Sequence, residues 1–356
     1  MTKLLSIIIP TYNMAALLPR CLNSLVSAQH ADEVEAIVVN DGSKDNSLEV
    51  ARDYESRFPN TVTVIDKPNG NYGSTINAAL PIAQGKYVKV LDSDDWFDTA
   101  ALDKFLDNIR SVDVDMAITH FSQIGPTVKE VIRYNTLGKE PYKYGKLYHL
   151  DDILPDGYIR FFLMHAITYR TQLLRDMDYR QTEGISYTDT EWANFPVYKA
   201  DTVIFYDINL YQYNLDRDGQ TMDPAVIMKS IPQLLKISDS LVSYYEKHLD
   251  EVSPAKRTFL KQYMENRYRL TYKLFLLDMP RKDFDADYFS EVEAKLFAEC
   301  QRNDLHPKLY PENKILRFEY IKYWHKHHKR WPLWFEKFNH FVDVAVKWLY
   351  VKICRS

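Results

Sequence analysis

The chain opens on a stretch that is apolar at nearly every position, Leu4-Leu5-Ser6-Ile7-Ile8-Ile9, the pattern of a strand covered on both faces. Pro10-Thr11-Tyr12-Asn13 ends it. Met14, Leu17, Leu18, Cys21, Leu22, Leu25 and Val26 then recur at helical spacing. The alternation repeats. Residues 35–40 read as a second buried strand closing on Asp41-Gly42-Ser43, and Asp45 or Ser47 can cap a helix that runs to about Phe58. Residues 61–65 form a third strand, followed by a helix carrying Ile76, Ala79, Leu80 and Ala83, and residues 87–91 form a fourth. Four buried strands alternating with three helices predict an α/β fold with a doubly wound, mostly parallel sheet.

Beyond residue 92 the pattern loosens. Leu102, Phe105, Leu106 and Ile109 predict a helix, 112–121 and 127–134 two more strands, and 134–158 a loop region rich in Tyr, Gly, Pro and charge. Residues 159–169 return to an apolar pattern and predict a strand crossing back under the sheet. From about Ala225 the period is helical, with a fresh start at Ser253-Pro254 and a further helix over 288–301. After Pro332, Phe335, Phe338, Phe341, Ala345 and Trp348 share one helical face, opposite Glu336, Asn339, Asp343 and Lys347. The expected division is a sheet domain over 1–223, a helical domain over 224–310 and an amphipathic tail over 311–356.

In doubly wound sheets ligands bind outside the carboxyl ends of the strands. The polar segments at those ends are Thr11-Tyr12-Asn13, Asp41-Gly42-Ser43, Asn69-Gly70-Asn71-Tyr72-Gly73 and Asp92-Ser93-Asp94-Asp95. Asp-Gly and Asn-Gly form turns everywhere, and an acidic turn can simply close a strand. Four such segments on one rim, two of them acidic, point to a ligand instead. Pro10-Thr11-Tyr12-Asn13 contains no glycine, which excludes a dinucleotide fingerprint, and no Walker A segment occurs. The crowded carboxylates after residue 91 repel one another unless a cation joins them, and hard oxygen ligands suit Mg²⁺ or Mn²⁺. A metal there can bridge a diphosphate, while Asp41 reads a base edge and Tyr12 stacks on it.

Ser-Ile-Ile-Ile-Pro-Thr-Tyr-Asn, Val-Val-Asn-Asp-Gly-Ser-Lys-Asp, Asn-Gly-Asn-Tyr-Gly-Ser-Thr-Ile-Asn and Lys-Val-Leu-Asp-Ser-Asp-Asp resemble, in order and spacing, the four signatures of family 2 glycosyltransferases of GT-A fold, of the bacterial surface-polysaccharide type. The resemblance implies a nucleotide-diphosphate-sugar donor, with a UDP-sugar favoured. It places Pro10, Thr11, Tyr12, Asn13, Asp41, Asn69, Gly73, Asp92 and Ser93 around the donor. It also makes Asp92-Ser93-Asp94 the Asp-x-Asp motif, with Asp94 and Asp92 as metal ligands. The relatives' Ala-Arg-Asn is Thr75-Ile76-Asn77 here, so a frequent cationic contact to the nucleotide is missing.

In Tyr187-Thr188-Asp189-Thr190-Glu191-Trp192 the family's acidic pair is reduced to Asp189, which the resemblance makes the general base of an inverting transfer. An aspartate at a helix mouth is also a common cap. Tyr211–Thr221 resembles the Tyr-rich segment and its Arg and Gly loop, which gives Arg217 a place on the leaving phosphates and Gly219 a place in the loop's closure. Arg330-Trp331 lies too far along the chain to serve as a processive synthase's Gln-x-x-Arg-Trp, which favours single-sugar transfer. The alternative is a catalytically silent domain serving as a scaffold subunit, in view of Thr188 and Ile76.

Charge and composition change the picture at one place. The net charge of −4 gives no sign of nucleic-acid binding, but the residues from Lys314 onward carry ten Lys/Arg against three Asp/Glu and four of the six Trp. A basic, aromatic, amphipathic tail suits an anionic membrane surface, docking on the protein's own core, or a partner subunit, so a homo-oligomer is open. His325, His327 and His328 read as a solvated polar stretch. Three dispersed cysteines suggest a reducing compartment. With no apolar run long enough for a signal peptide or membrane span, the expected location is cytoplasmic and peripheral on the inner membrane face, near a saccharide or lipid-linked acceptor.

Overall fold

The computed structural model describes residues 3–126, 128–133, 141–216, 224–307, 309 and 320–334. They belong to two compact units that divide between Leu260 and Lys261. The first is built on β1 (Leu5–Thr11), α1 (Leu18–Val26), β2 (Val34–Asp41), α2 (Ser47–Arg57), β3 (Val62–Lys67), α3 (Asn71–Ala79) and β4 (Tyr87–Val90). Its chain continues through β5 (Trp96–Phe97), α4 (Thr99–Arg110), β6 (Met116–Ile124), β7 (Lys129–Ile132), β8 (Leu147–His149), α5 (Leu150–Ile153), β9 (Ile167–Arg170), α6 (Thr171–Asp176), α7 (Asp189–Asn194) and β10 (Thr202–Asn214). The helices α8 (Pro224–Lys229) and α9 (Ile231–His248) follow, and α10 (Pro254–Lys273) contains the division between the units.

The sheet runs β3-β2-β1-β4-β9-β6-β10-β5, with β7 on β6 and β8 on β10. The first four strands are parallel, and Ile8 lies opposite Ile37 on one side and Val90 on the other. β1 and β2 are buried along their whole length because helices cover both faces. Ile7, Ile8 and Ile9 lose all their exposure, each worth about 1.5–3 kcal/mol. Four parallel strands ending together carry the rim segments to one edge. Asp98 caps α4, its carboxylate accepting from the Ala101 N–H at 2.9 Å.

Two expectations about the sheet change. Within 134–158, expected to be loop, β8 pairs antiparallel with β10 and α5 follows it directly. Within 159–169 only Ile167–Arg170 is a strand, and β9 inserts between β4 and β6, antiparallel to both, rather than crossing beneath the sheet. The reason is Lys89 on β4. Its Nζ takes the carbonyls of His165 at 2.8 Å and Ile167 at 2.9 Å, so a side chain satisfies groups that a longer ladder would use.

The second unit holds the rest of α10, α11 (Ala286–Asn303) and α12 (Tyr320–His327). Phe289 stacks on Phe275 at 4.7 Å and meets Trp324 at 4.9 Å. The buried Glu293 accepts from Tyr272 at 2.6 Å and from the Trp324 indole at 3.1 Å, and His325 Nε2 lies 2.9 Å from it. This corrects the reading of His325 as solvated, because a buried carboxylate recruits every donor near it. Arg330 is also structural, giving its guanidinium to the carbonyls of Leu277 and Met279. The amphipathic face from Phe335 onward lies outside the described residues. Among the described residues no helix is long and apolar enough to cross a membrane.

Candidate active site

The rim encloses a cleft of about 730 Å³, within the range of small-molecule sites. Pro10, Thr11, Tyr12, Asp41, Asn69, Asp92, Ser93, Asp94 and Asp189 all line it. Tyr12 is 43% exposed, so its ring is open to a ligand. Asn13, with φ of 56°, does not line the cleft. Its amide N–H donates to Ser43 and its side-chain oxygen accepts from the Lys44 N–H, which ties the β1 loop to the β2 loop. Gly42, at φ of 70°, lets the β2 loop approach the β3 loop, since a Cβ there would stand 2.9 Å from the Asn69 nitrogen. Gly73 also lies off the lining. A Cβ on it would come within 2.2 Å of the Thr182 carbonyl oxygen, so it is the glycine that lets α3 approach the 181–183 segment.

Asp41 is buried and already partnered. Lys67 Nζ at 2.6 Å, the Gly70 N–H at 2.9 Å and the Ser74 hydroxyl at 3.4 Å all use Oδ1, and the Asn69 amide holds the Asp41 carbonyl at 2.9 Å. Lys67 was not foreseen as a rim residue. It places a cation there, although position 76 holds a fully buried isoleucine.

The acidic turn sits on a scaffold of hydroxyls and amides. Asp92, Asp94 and Asp95 each offer a carboxylate oxygen within 4.8 Å of the others. Tyr72 donates to Asp92 at 2.8 Å, Tyr211 donates to Asp95 at 2.5 Å and accepts from the Asp92 N–H at 3.2 Å, and the Asn214 N–H reaches Asp95 at 2.7 Å. Burial, then the neighbouring Asp92 and Asp94 charges, push the Asp95 carboxyl well above the ordinary carboxylate range. Arg20 stacks on Trp96 at 3.9 Å and donates to the Asp94 carbonyl at 2.8 Å, fixing the turn from outside. Half-exposed Asp92 and Asp94 thus face the cleft while Asp95 turns inward. That donor set, hard oxygens on a rigid turn, fits a divalent cation.

The rest of the lining includes Leu163, Met164, His165, Ser186, Tyr187, Asp189 and Tyr213. Asp189 is the first residue of α7. Tyr187, two residues before it, has φ of 68°, a conformation an aromatic residue adopts only when its surroundings impose it. Glu191 is fully buried and has a different task. It accepts from the Thr182 N–H and hydroxyl at 2.7 Å and from Ser240 on α9 at 2.6 Å, which locks α7 in place. Thr188, at the other acidic position of the pair, is buried as well. Arg217 and Gly219 lie outside the described residues. Sequence reasoning placed Asn71 and Tyr72 on the rim without giving either a role, and missed Met14, Thr75 and the 163–165 wall. A histidine inside the apolar run 159–169 was the one signal for that wall.

The sequence model described as Glycosyl transferase family 2 matches residues 6–177. The uncharacterized glycosyltransferase MG025 of Mycoplasma genitalium is 30% identical over 237 residues, 58% of this chain and 78% of that protein. Its Mycoplasma pneumoniae homolog is 39% identical over 97 residues, 26% of this chain and only 32% of its own length. Among solved structures, S. aureus TarS 1-349 in complex with UDP-GlcNAc has a TM-score of 0.60 at 18% identity, over 91% of this chain and 88% of that one. A mannosyltransferase from Pyrobaculum calidifontis, in complex with GDP-Man and Mn2+, has a TM-score of 0.50 at 15% identity, over 84% and 75%. Identities this low establish likeness of fold.

Proposed function

Since the chain belongs to glycosyl transferase family 2 and shares its GT-A architecture, we propose that its cleft moves one hexosyl group from a nucleoside-diphosphate sugar, with UDP the favoured nucleotide, to a hydroxyl of a saccharide or lipid-linked acceptor, with inversion. The supporting observation is that Asp92 and Asp94 line the same cleft as Asp189, with Tyr12 and Asp41 at its rim. TarS in its UDP-GlcNAc complex and the mannosyltransferase in its GDP-Man and Mn2+ complex are consistent with this choice of donor and ion.

Tyr12 stacks on the base. Asp41, with Oδ1 occupied by three donors, offers Oδ2 to a base N–H. Asn69 keeps Asp41 in place, and Pro10, Thr11 and Ser93 complete the nucleoside wall. Asp94 and Asp92 would hold Mn²⁺ or Mg²⁺, which supplies charge neutralisation for the leaving diphosphate. Asp189 removes the acceptor's hydroxyl proton as that oxygen bonds to the anomeric carbon. The C1–O bond to the diphosphate breaks with its electron pair leaving on the diphosphate. Arg217 is assigned to those phosphates. In this reading residues 1–223 form the catalytic domain, 224–310 a helical domain and 311–356 a tail at an anionic membrane surface. Support for the tail is the basic excess and the exposed Leu333 and Trp334, although Trp324 is buried in its own unit.

The test is a thermal-shift panel of UDP-, GDP-, CDP- and dTDP-sugars with and without Mn²⁺. A donor at a hundred times its Kd stabilises the protein by about 2.7 kcal/mol. Asp189→Asn should keep that stabilisation and lose transfer by about 10²–10⁴-fold. Unchanged turnover removes Asp189 as the base. A wild type that binds a donor but neither transfers nor hydrolyses it supports the silent scaffold instead.

A further inference from the structure

His165 lines the cleft but has no part in the chemistry above. Its ring is held on three sides. Phe121 of β6 stacks on it at 5.0 Å, Tyr213 of β10 lies at 4.7 Å, and Tyr211 meets it edge-on at 4.9 Å. Its carbonyl is fixed by Lys89 at 2.8 Å, so the backbone is pinned as firmly as the ring. Nδ1 is enclosed and finds no hydrogen-bond partner among the described residues. With Nδ1 shut away, Nε2 is the nitrogen that meets the cleft. An orphaned buried N–H is rarer in proteins than an orphaned acceptor, so the proton belongs on Nε2. Burial takes the imidazole down to about 3, which leaves it uncharged at neutral pH.

The wall that carries this ring adjoins the acidic turn. Met164 Sδ is 3.5 Å from the Tyr72 hydroxyl, and that hydroxyl also bonds Asp92. In a cleft lined by Asp92, Asp94 and Asp189, carboxylates are ready to accept from sugar hydroxyls. What the acids cannot supply is a donor to a hydroxyl's own oxygen. A neutral N–H does so without pairing with the acids or repelling a cation.

We propose that His165 is a specificity-determining residue whose Nε2–H donates to a hydroxyl of the donor's hexose, reading the sugar rather than the nucleotide. This rests on the glycosyl-transfer reading. It assigns the hexose end of the donor to the Met164–His165 wall and the nucleoside end to the Tyr12–Asp41 rim.

Three variants, His165→Phe, His165→Gln and His165→Asn, test it. His165→Phe keeps a ring between Phe121 and Tyr213 and removes the nitrogen, and His165→Gln returns an N–H at the Nε2 position. Binding is measured by calorimetry with Mn²⁺ for UDP-GlcNAc, UDP-glucose, UDP-galactose and GDP-mannose, each beside its bare nucleoside diphosphate. In wild type at least one sugar nucleotide binds more tightly than its diphosphate. His165→Phe should weaken that sugar nucleotide about fivefold to tenfold, leave the diphosphate within about twofold, and be rescued by His165→Gln. A wild-type protein that binds none of the six ligands overturns this inference together with the reading beneath it. Wild-type preference that survives unchanged in His165→Phe overturns the inference alone. So does an equal loss for sugar nucleotide and diphosphate, or rescue by His165→Asn but not by His165→Gln. If donor binding holds in His165→Phe while transfer falls, the nitrogen serves the acceptor and the assignment to the donor is wrong.

Discussion

Lys89 offers the sharpest test of how the cleft wall is held. It sits on a strand with no exposed surface, and among the described residues no carboxylate pairs with it. Its partners are the carbonyls of His165 and Ile167, with the Tyr211 ring 5.9 Å away. A neutral amine has two N–H groups, which match two carbonyls. Burial brings the amine down to about 7 from the ordinary 10.5. Because the folded value is depressed, the unfolded chain binds more protons than the native one between these limits, and stability rises with pH there. The whole gap is worth about 5 kcal/mol. Between pH 7.5 and 9.5, below the range where tyrosines ionise, the slope should be about 1.4 kcal/mol per pH unit from this one group. Urea unfolding across that window should show the slope in wild type and its loss in Lys89→Met. Equal slopes in the two proteins would refute the claim that this lysine is buried as a neutral amine.

Other consequences follow from single contacts. Glu191→Ala strands three donors and should cost about 3–5 kcal/mol in urea unfolding, whereas Glu191→Gln should keep most of the stability. Gly73→Ala forces its Cβ against the Thr182 carbonyl, so a loss of about 1–3 kcal/mol is expected by calorimetry. Tyr72→Phe removes the hydroxyl that orients Asp92. The Mn²⁺ concentration for half-maximal thermal stabilisation should rise about tenfold, and an unchanged midpoint would make Tyr72 irrelevant to the metal.

The parallel half of the sheet was legible because its signal is local. Ile7-Ile8-Ile9 and Val38-Val39 need nothing but their own run of apolar residues to declare a doubly covered strand, and each run stops at the polar residues that line the rim. The 159–169 segment was not legible. Its apolar residues divide between sheet and cleft wall, and the cause lies on another strand, in a lysine whose long side chain replaces ladder hydrogen bonds. A pattern of apolar positions cannot register that. Trp324 and His325 failed for a related reason, since their partner Glu293 stands 31 and 32 residues away on α11.

Carboxylates show the same limit at the site itself. In sequence Asp41, Asp95, Asp189 and Glu191 are four acids near strand or helix ends, and only their partners separate them. Asp41 is tied to a lysine, a backbone amide and a serine through one oxygen. Asp95 is held by a tyrosine hydroxyl and a backbone amide beneath two other acids, and burial with those neighbouring charges pushes its carboxyl well above the ordinary carboxylate range. Glu191 spends both oxygens on packing α7 against α9 and the 182 backbone. Under the proposed function that lock matters for Asp189, the base in that reading, two residues earlier on the same short helix. A base must stand within hydrogen-bond reach of the proton it removes, and a six-residue helix has too few internal bonds to hold its own position. Loosening Glu191 should therefore reach the chemistry through Asp189 even where the fold survives. Glu191→Gln is the variant in which a fall in kcat without a change in donor affinity would reveal it.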